Sequence, residues 1–315
     1  MEHRRLGNSG METAPLVLGG NVFGWTADEK TSFDVLSAFV DAGLNMIDTA
    51  DMYSIWAPGH KGGESEEVIG KWMKASGNRS KVLIATKVGM DLGPGKKGLS
   101  KEYIMRAVED SLQRLQTNYI DLYQSHMDDK DTPLSETLEA YEELIEQGKV
   151  RAIGASNYTA DRLNEALEVS KEHGIIQYAT LQPHYSLIER KEYEGALEDT
   201  CRAHHLGVIP YFPLASGFLT GKYRSEEDLS KSQRGPGLKK YLNDRGLAIL
   251  KVLDEIAAEY DSTPAAVSLA WVMARPGITA PIASATSVQQ LKELVDATDL
   301  ELDNDSIDLL NKVSA

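Results

Sequence analysis

The sequence has few of the features that mark secreted, membrane-spanning or nucleic-acid-binding proteins. Cysteine occurs once, at Cys201, which excludes an internal disulfide and makes a reducing cytosol, and so a cytoplasmic location, the expected setting. No apolar run approaches the ~18 residues of a membrane span, and the polar start MEHRRLGNSG indicates no signal peptide. Lysine and arginine total 33 against 48 acidic residues, and the resulting net charge of −15 argues against nucleic acid or an anionic membrane as a partner.

Strand-like and helix-like segments alternate along the chain. Amphipathic stretches such as TSFDVLSAFVDAG and LSETLEAYEELIEQG separate eight apolar, β-branched runs, and this alternation predicts a parallel sheet. Eight such units predict an α/β fold of the (β/α)8 TIM-barrel type, as a single domain over residues 1–315, with an open doubly wound sheet as the alternative. The predicted strands are 16–20, 45–50, 82–87, 119–126, 150–156, 180–185, 207–213 and 279–284.

Local signals predict how the segments begin and end. RRL and META flank GNSG and predict an N-terminal hairpin, and DLELDNDSIDLLNKVSA predicts a C-terminal helix packed on the barrel. The stretch 216–246 has no strand pattern and is long for a βα loop, which fits either a functional lid or a polar surface excursion. Helix caps are predicted at Ser100 and Ser135, and helix stops at Gly148 and Gly174.

Two patterns that suggest other functions are better explained as ordinary structure. The letters GPGKKG at 93–98 match a dinucleotide-binding turn, but they neither directly follow a strand nor open a helix, so we predict a surface loop. The histidines His173, His184, His204 and His205 lack the spacing of metal ligands, so no metal is expected. Cys201 lies in a helical stretch and is predicted to be a packed thiol.

Four polar residues follow apolar runs at the points where barrel strands would end. Asp48 ends NMID and Tyr53 follows it, Lys87 ends VLIATK, and His126 ends YIDLYQSH. Active sites of such barrels lie at the carboxyl ends of the strands. Each residue alone is more often a cap, an ion pair or packing than a catalytic group. Their joint placement is what predicts a proton-donating site for carbonyl chemistry.

Carbonyl reduction leaves an alkoxide that must be protonated as it forms. A tyrosine is a weak acid, with a reference pKa of ~10. A lysine ammonium about 4 Å away favours the phenolate by ~4 kcal/mol at an effective dielectric constant of ~20, an upper-end effect of ~3 pK units. Lys87 is therefore predicted to tune Tyr53, Asp48 to hold Lys87 in its charged form, and His126 to donate a hydrogen bond to the substrate oxygen.

Eight stretches in order resemble the aldo-keto reductase superfamily, of the bacterial type and similar also to potassium-channel β-subunits. The resemblance covers essentially the whole chain and implies a (β/α)8 barrel that binds NADPH across its C-terminal face. It implies that Tyr53 is the general acid, that Asp48 and Lys87 tune it, and that His126 orients the carbonyl. The matching stretches are GLNMIDTADMY, GESEEVIGKW, ATK at 85–87, YIDLYQSHMDD, GKVRAIGASNY, LQPHYSLIER, PYFPLASGFLTGKY and PIASATSVQQL.

The same resemblance implies which residues bind the cofactor. Ser156, Asn157 and Gln182 match the groups that hold the nicotinamide carboxamide, and Tyr211 matches the aromatic residue that stacks on the nicotinamide ring. Small residues in the next loop let the backbone approach the pyrophosphate. The matching positions there are Pro213, Leu214, Gly217 and Leu219, with Lys222 and Arg234 as nearby cations and Ser284, Thr286 and Gln290 at the adenosine end.

Departures from the family pattern leave the cofactor and the substrate open. Ser284 stands where many relatives have Gly, and the SATS turn offers hydroxyls where a basic residue usually grips the 2′-phosphate, so NADPH is favoured while NADH stays possible. The substrate is expected to be a small carbonyl compound, and the oligomeric state is not predicted. A cofactor-binding regulatory barrel with negligible turnover is the alternative function. Pocket candidates are Trp25, Met52, Ile55, Trp56 and Tyr185. Exposed aromatic residues at loop tips fit lid packing or contacts between subunits equally well.

Overall fold

A parallel sheet of eight strands curls into a barrel in the computed structural model, which describes residues 2–315. Neighbouring strands of the sheet follow their order along the chain, and the last strand pairs with the first. The amide of Thr279 donates to the carbonyl of Val208 at 2.8 Å, and that of Ile282 to Pro210 at 2.8 Å, which closes the ring. The barrel strands are β3 (Val17–Gly19), β4 (Met46–Asp48), β5 (Leu83–Val88), β6 (Ile120–Ser125), β7 (Val150–Ser156), β8 (Thr180–Gln182), β9 (Gly207–Val208) and β10 (Ile282–Ala283).

Helices connect the strands and cover the outside of the barrel. Their apolar faces pack on the outer side chains of the strands, as expected for right-handed βαβ crossovers. The predicted (β/α)8 fold is confirmed, and all eight predicted strands are present, although all except β5 and β7 are shorter than expected. The helices are α1 (Glu29–Asp41), α2 (Glu64–Ser76), α3 (Lys101–Leu115), α4 (Leu134–Glu146), α5 (Ala160–His173), α6 (Ala196–Ala203), α7 (Asp244–Glu259), α8 (Pro264–Ala274), α9 (Val288–Asp296) and α10 (Asn304–Val313).

The predicted N-terminal hairpin is confirmed and closes the bottom of the barrel. Strands β1 (Arg4–Arg5) and β2 (Glu12–Thr13) pair antiparallel, and Leu6 and Met11 between them pack with the apolar side chains inside the barrel. The turn at Gly7 has φ 54°, and a Cβ there would stand 2.0 Å from the carbonyl oxygen of Ala179, so only glycine fits.

Most of the predicted helix ends are confirmed, and one is wrong. The Ser100 hydroxyl accepts from the amide of Tyr103 and begins α3, while Gly148 and Gly174 have φ 70° and 67° just past α4 and α5. Ser135 is not a cap because α4 begins one residue earlier, at Leu134, after the N-cap Pro133. The amide that Pro133 lacks would have no partner inside the helix, so proline is tolerated directly before the first turn.

Two further expectations concern segments outside the barrel strands. The GPGKKG stretch is a loop before α3 in which all three glycines have positive φ, as predicted for a surface turn. The stretch 216–246 forms three short 3₁₀ turns, Ala215–Thr220, Glu226–Lys231 and Gly235–Tyr241, followed by the start of α7. Cys201 is 2 % exposed on α6, and burial raises the pKa of its thiol to about 12. No helix within residues 2–315 is both long and apolar enough to cross a membrane.

Candidate active site

The structure brings together the four residues predicted to do the chemistry. The register pairs β4 with β5 and β5 with β6, so their carboxyl ends meet at one rim. The Lys87 ammonium, which is fully buried, donates to Asp48 Oδ2 at 2.7 Å, to the carbonyl of Thr49 at 2.9 Å and to Tyr53 Oη at 2.9 Å. His126 lies across from the phenol, with ring centroids 6.1 Å apart.

Two buried amides complete the floor of this cluster. Gln182 Nε2 donates to Asp48 Oδ1 at 2.8 Å, and Gln124 Nε2 approaches the same oxygen at 3.3 Å. With Lys87 on the other oxygen, the 1 % exposed carboxylate has partners on both sides. Gln124 was missed in the sequence, although a lone amide inside the apolar strand LYQS, at the pleat position opposite Lys87, was a usable signal.

Burial and charge set the protonation of the cluster. Burial raises the pKa of Tyr53, and the Lys87 ammonium acts against this rise without cancelling it. The predicted influence of Lys87 is therefore present but smaller than desolvation in the free protein. Burial alone would lower the pKa of Lys87, but Asp48 and Tyr53 outweigh it and the pKa is raised, so the amine is charged. Burial and the Lys87 charge hold the pKa of His126 well below its usual value, which makes its imidazole neutral.

A cavity of about 240 Å³ opens directly above Tyr53 at the carboxyl ends of the strands. Its lining combines polar side chains with apolar and aromatic ones. This is the composition of a small-molecule site, in which a few polar groups fix the orientation of an apolar ligand. The lining comprises Gly19, Asn21, Asp48, Met52, Tyr53, Trp56, His126, Ser156, Asn157, Gln182, Tyr211, Phe212, Ile282 and Ser284.

The predicted carboxamide-binding residues form one hydrogen-bonded row along this cavity. Ser156 Oγ donates to the carbonyl of Gln182 at 2.9 Å, and Asn157 Nδ2 donates to Ser156 Oγ at 3.2 Å. The hydroxyl of Tyr211 donates to Asn157 Oδ1 at 2.7 Å. One face of Tyr211 stacks on His184, with centroids 5.2 Å apart and planes at 10°, while Tyr211 itself lines the cavity.

The segment after Tyr211 has an unusual backbone. Phe212, Ala215 and Ser216 have φ of 56°, 47° and 56°, and Gly217 has φ 102°. Successive left-handed residues turn amide groups toward a common side, a geometry that suits anions. The side chains of Pro213 and Leu219 are buried, and that of Leu214 is half-buried. The Lys222 ammonium lies 4.0 Å from the position that a Cβ of Gly217 would occupy.

The residues predicted for the adenosine end do not all lie together. Ser284 lines the cavity and donates to Asn21 Oδ1 at 2.6 Å. Thr286 and Gln290 are outside the cavity, where the Gln290 side-chain oxygen accepts from the amide and the hydroxyl of Thr286 at 2.9 Å each. Asn21 was missed in the sequence, since nothing in GGNVFGW indicates that β10 brings Ser284 to it.

An aromatic wall extends outward from Tyr53. Trp56 lies 5.7 Å from Tyr53 between ring centroids, and Trp25 lies 5.5 Å from Trp56 at 78°. Trp56 is 42 % exposed, which is unusual for so large an apolar side chain. The guanidinium of Arg234 stands over the outer ring, 5.6 Å from the centroid of Trp25.

The other predicted pocket residues have different outcomes. Met52 lines the cavity, whereas Ile55 does not. The prediction for Tyr185 is wrong, because its side chain is fully buried on the outside of the barrel. Its hydroxyl donates to Glu194 at 2.7 Å, and its ring stacks on Trp271 with centroids 5.7 Å apart. Within residues 2–315 no group of three or more His, Cys, Asp or Glu side chains is arranged to hold a metal ion.

Comparison with known proteins places this architecture among carbonyl-converting oxidoreductases. The sequence model of the "Aldo/keto reductase family" matches residues 15–315. The chain is similar to "Uncharacterized oxidoreductase YrpG" of Bacillus subtilis, with 36 % identity over 99 % of this chain and 96 % of the relative. It is also similar to "Aldo-keto reductase YhdN" of the same organism, with 32 % identity over 99 % and 93 % of the two chains.

A third relative has a different description. The chain is 32 % identical to "Probable voltage-gated potassium channel subunit beta" of Oryza sativa, over 95 % of this chain and 92 % of the relative. Enzymes and a channel subunit are thus similar to the chain over nearly its full length, which is the range of relatives that the sequence motifs indicated. The chain belongs to the aldo/keto reductase family, which carries out nicotinamide-dependent oxidoreduction of carbonyl compounds.

Proposed function

We propose that this protein, as one barrel domain over residues 1–315, reduces aldehydes or ketones to alcohols with NADPH. The observation that carries the proposal is the bond of 2.9 Å from a buried lysine ammonium to Tyr53 Oη, at the base of an open cavity. Burial keeps the phenol protonated at neutral pH, and the cation beside it stabilises the phenolate that is left when the proton passes to a developing alkoxide.

The chain's own residues divide the acid chemistry between them. Tyr53 gives its proton to the carbonyl oxygen, and the Lys87 ammonium 2.9 Å away stabilises the phenolate that remains. Asp48, fixed by Gln182 and Gln124, keeps the ammonium in place. The neutral imidazole of His126 faces the phenol and donates a hydrogen bond to the same carbonyl oxygen.

The residues present fit a nicotinamide dinucleotide. Tyr211, Ser156, Asn157 and Gln182 line the cavity, and their flat ring and their amide and hydroxyl groups would hold a carboxamide-bearing ring. The left-handed turn at Gly217 and the Lys222 ammonium beside it suit a pyrophosphate. The further contacts that we propose are Pro213, Leu214, Leu219, Arg234, Ser284, Thr286 and Gln290. When bound, the cofactor supplies the hydride that the carbonyl carbon accepts.

The substitution Tyr53→Phe tests this function. Oxidation of NADPH and of NADH is followed in parallel with aldehydes, diketones and aromatic ketones. Loss of the acidic hydroxyl is expected to lower turnover by about 10²–10⁴-fold. Cofactor affinity, followed by quenching of tryptophan fluorescence, is expected to stay within about twofold, since the phenol is assigned to the carbonyl. Equal loss of turnover and cofactor affinity would contradict the role given to Tyr53.

A second function is favoured by the match to the Oryza sativa protein described as a probable channel β-subunit. In this function the barrel binds the cofactor and regulates a partner, with negligible turnover. The same assay separates the two functions. Tight binding of NADPH with no turnover of any carbonyl in the panel would favour the regulator, and failure to bind either cofactor would remove both.

A further inference from the structure

A second cavity is formed by the loop after β4, the loop after β5 and helix α3. Its volume is about 120 Å³, against about 240 Å³ for the cavity above Tyr53, and the two cavities share no lining residue. The GPGKKG stretch, which the proposed reaction does not use, contributes Lys96 to this second lining. The cavity is therefore a separate place in the molecule where one small group could bind.

The lining of the second cavity includes a buried carboxyl group without a partner. Asp51 is 3 % exposed, and neither of its oxygens has a hydrogen-bond partner among residues 2–315. The Asp51 charge raises the pKa of the neighbouring phenols Tyr103 and Tyr123, yet neither phenol donates to it. A buried polar group left unpaired is unfavourable, so a ligand that bonds to this carboxyl would relieve the cost.

Positive charge dominates the rest of this lining. Four basic side chains stand there against one further carboxylate, that of Asp110. Arg114 is paired with Glu66 at 2.7 Å, whereas the other three basic groups form no ion pair in the part of the chain that the structure describes. Since the protein carries a net charge of −15, a local excess of cations is what would attract an anion here. The four basic residues are Lys61, Lys96, Arg106 and Arg114.

We propose that this cavity binds a phosphate group, with Asp51 on its protonated side and Lys61 and Lys96 on its charged oxygens. A phosphate group carries both a hydroxyl and bare oxygens, so it can donate to one oxygen of the carboxyl and accept from the other. Burial and Glu66 raise the pKa of Asp51, and a neutral carboxyl does not repel an anion. An ammonium ligand would pair with Asp51 as well, but the basic lining would repel it.

The loop after β4 connects this site with the proposed acid. The amide of Asp51, two residues before Tyr53, donates to the carbonyl of Lys87 at 3.1 Å. Gly62 lines the second cavity, and the amide of the next residue, Gly63, donates to the carbonyl of Tyr53 at 2.8 Å. A bound phosphate is therefore expected to hold this loop in its folded position and to raise the melting temperature of the protein.

Isothermal titration calorimetry with sodium phosphate, at pH 6 and constant ionic strength, tests the site. We expect one phosphate to bind per chain with a Kd of about 1 mM or lower. Sulfate, which offers acceptors only, should bind at least about tenfold more weakly, because it leaves one oxygen of Asp51 unpaired. Saturation with NADP⁺ should leave the phosphate Kd within about twofold. No saturable binding, equal affinity for sulfate, or competition with NADP⁺ would each overturn the proposal.

Single charge removals locate the bound phosphate. Lys61→Gln and Lys96→Gln are each expected to weaken phosphate binding about fivefold, the effect of one solvent-exposed charge at contact distance. Lys97→Gln is the matched control, since Lys97 is the exposed neighbour of Lys96 but does not line the cavity. It should leave the Kd within about twofold. Equal weakening in all three variants would mean that the overall charge attracts phosphate, and would overturn the proposal.

Two substitutions of Asp51 separate its hydrogen bonds from its bulk. Asp51→Asn keeps a donor and an acceptor and should bind phosphate within about threefold of wild type. Asp51→Val removes both and should weaken binding at least about tenfold, and phosphate should no longer raise its melting temperature. Circular dichroism confirms that each variant is folded. Wild-type affinity in Asp51→Val would overturn the proposal.

A phosphate group can come from free phosphate or from a phosphomonoester. A wider surface cleft of about 550 Å³ shares Lys61 and Arg114 with the cavity and has room for the body of an ester. Titration with methyl phosphate beside inorganic phosphate identifies the source by the lower Kd, and either result supports the site. The phosphate, sulfate and variant titrations need neither carbonyl nor cofactor, so this site and the proposed reductase function can fail independently.

Discussion

The barrel contains two buried aspartates that each hold cations, one at each end of its strands. Asp121, near the start of β6, pairs with Arg79 at 2.8 Å and with Arg151 at 2.7 Å, and it also accepts the amide of Ile84 at 2.9 Å. Asp48, at the end of β4, holds Lys87 at 2.7 Å. The chemistry of the two ion pairs is similar, but their surroundings differ.

The two ion pairs differ in the other hydrogen bonds that the cation forms. The guanidinium of Arg79 has a structural role, since it also donates to the carbonyls of Val82 and Tyr119 and to the hydroxyl of Thr117. The ammonium of Lys87 instead donates one hydrogen bond to the phenol of Tyr53, which lines the cavity. The same pairing therefore fixes strands at the bottom of the barrel and prepares a proton donor at the top, in line with the division of barrels into a stability face and a reactive face.

Of the substitutions that test this comparison, replacement of Lys87 is expected to have the largest effect on turnover. Lys87→Met removes the charge beside Tyr53, and turnover is expected to fall about 10²–10⁴-fold. Arg79→Met at the opposite end, the matched change, should leave turnover per folded molecule within about threefold. Initial rates at saturating NADPH, with circular dichroism to confirm folding, make the measurement. A comparable loss in both variants would mean that the cluster at Lys87 acts through stability alone.

Removal of Asp121, at the other end of the barrel, should lower stability and leave turnover nearly unchanged. Asp121→Ala leaves Arg79 and Arg151 without their shared carboxylate and the amide of Ile84 without its acceptor. The free energy of unfolding is expected to fall by about 3 kcal/mol, as for a broken buried pair, while the rate per folded molecule changes little. Urea unfolding at pH 7 gives the first quantity. A loss below about 1 kcal/mol would show that this pair does not anchor the strands.

A third buried aspartate sharpens the comparison because it has no cation of its own. Asp51 is 3 % exposed, and within residues 2–315 neither carboxylate oxygen has a hydrogen-bond partner. Burial and the neighbouring Glu66 raise its pKa well above the usual value. In the window between the unfolded pKa and this raised one, the folded state binds more protons than the unfolded state. The stability of the wild-type protein therefore falls as pH rises through that window.

Asp51→Asn removes this titration. The variant should gain stability relative to wild type as pH increases, by at most about 1.4 kcal/mol per pH unit inside the window. Urea unfolding of both proteins at pH 5 and pH 8 measures the difference. A gain that is equal at the two pH values would mean that Asp51 does not titrate in this range.

The sequence predicted those features of the fold and the site that depend on short, contiguous stretches of residues. Strand ends are set by short apolar runs, so the positions of Asp48, Lys87 and His126 at one rim followed from the barrel topology. The resemblance added the row from Ser156 to Tyr211, which the structure places along the cavity. Contacts between distant segments could not be foreseen.

The bonds of Gln124 to Asp48 and of Ser284 to Asn21 are of this kind, since they depend on pleat and register across the barrel. An aromatic residue such as Tyr185 could belong to a pocket or to the core. Its contacts with Glu194 and with Trp271, which is distant in the sequence, hold it in the core. The sign of the Tyr53 pKa shift also needed the structure, because the desolvation that outweighs Lys87 depends on how many atoms cover the phenol.

The single cysteine gives this protein a practical property for experiments in solution. Because the thiol of Cys201 is packed on α6 with a pKa of about 12, almost none of it is thiolate at pH 7–8, and it should resist maleimide and methanethiosulfonate reagents. A cysteine introduced at Lys239 would then be the one group that takes up a spin label or a fluorophore. Distances from that label would report the position of the segment that carries Arg234, with no native residue to remove first.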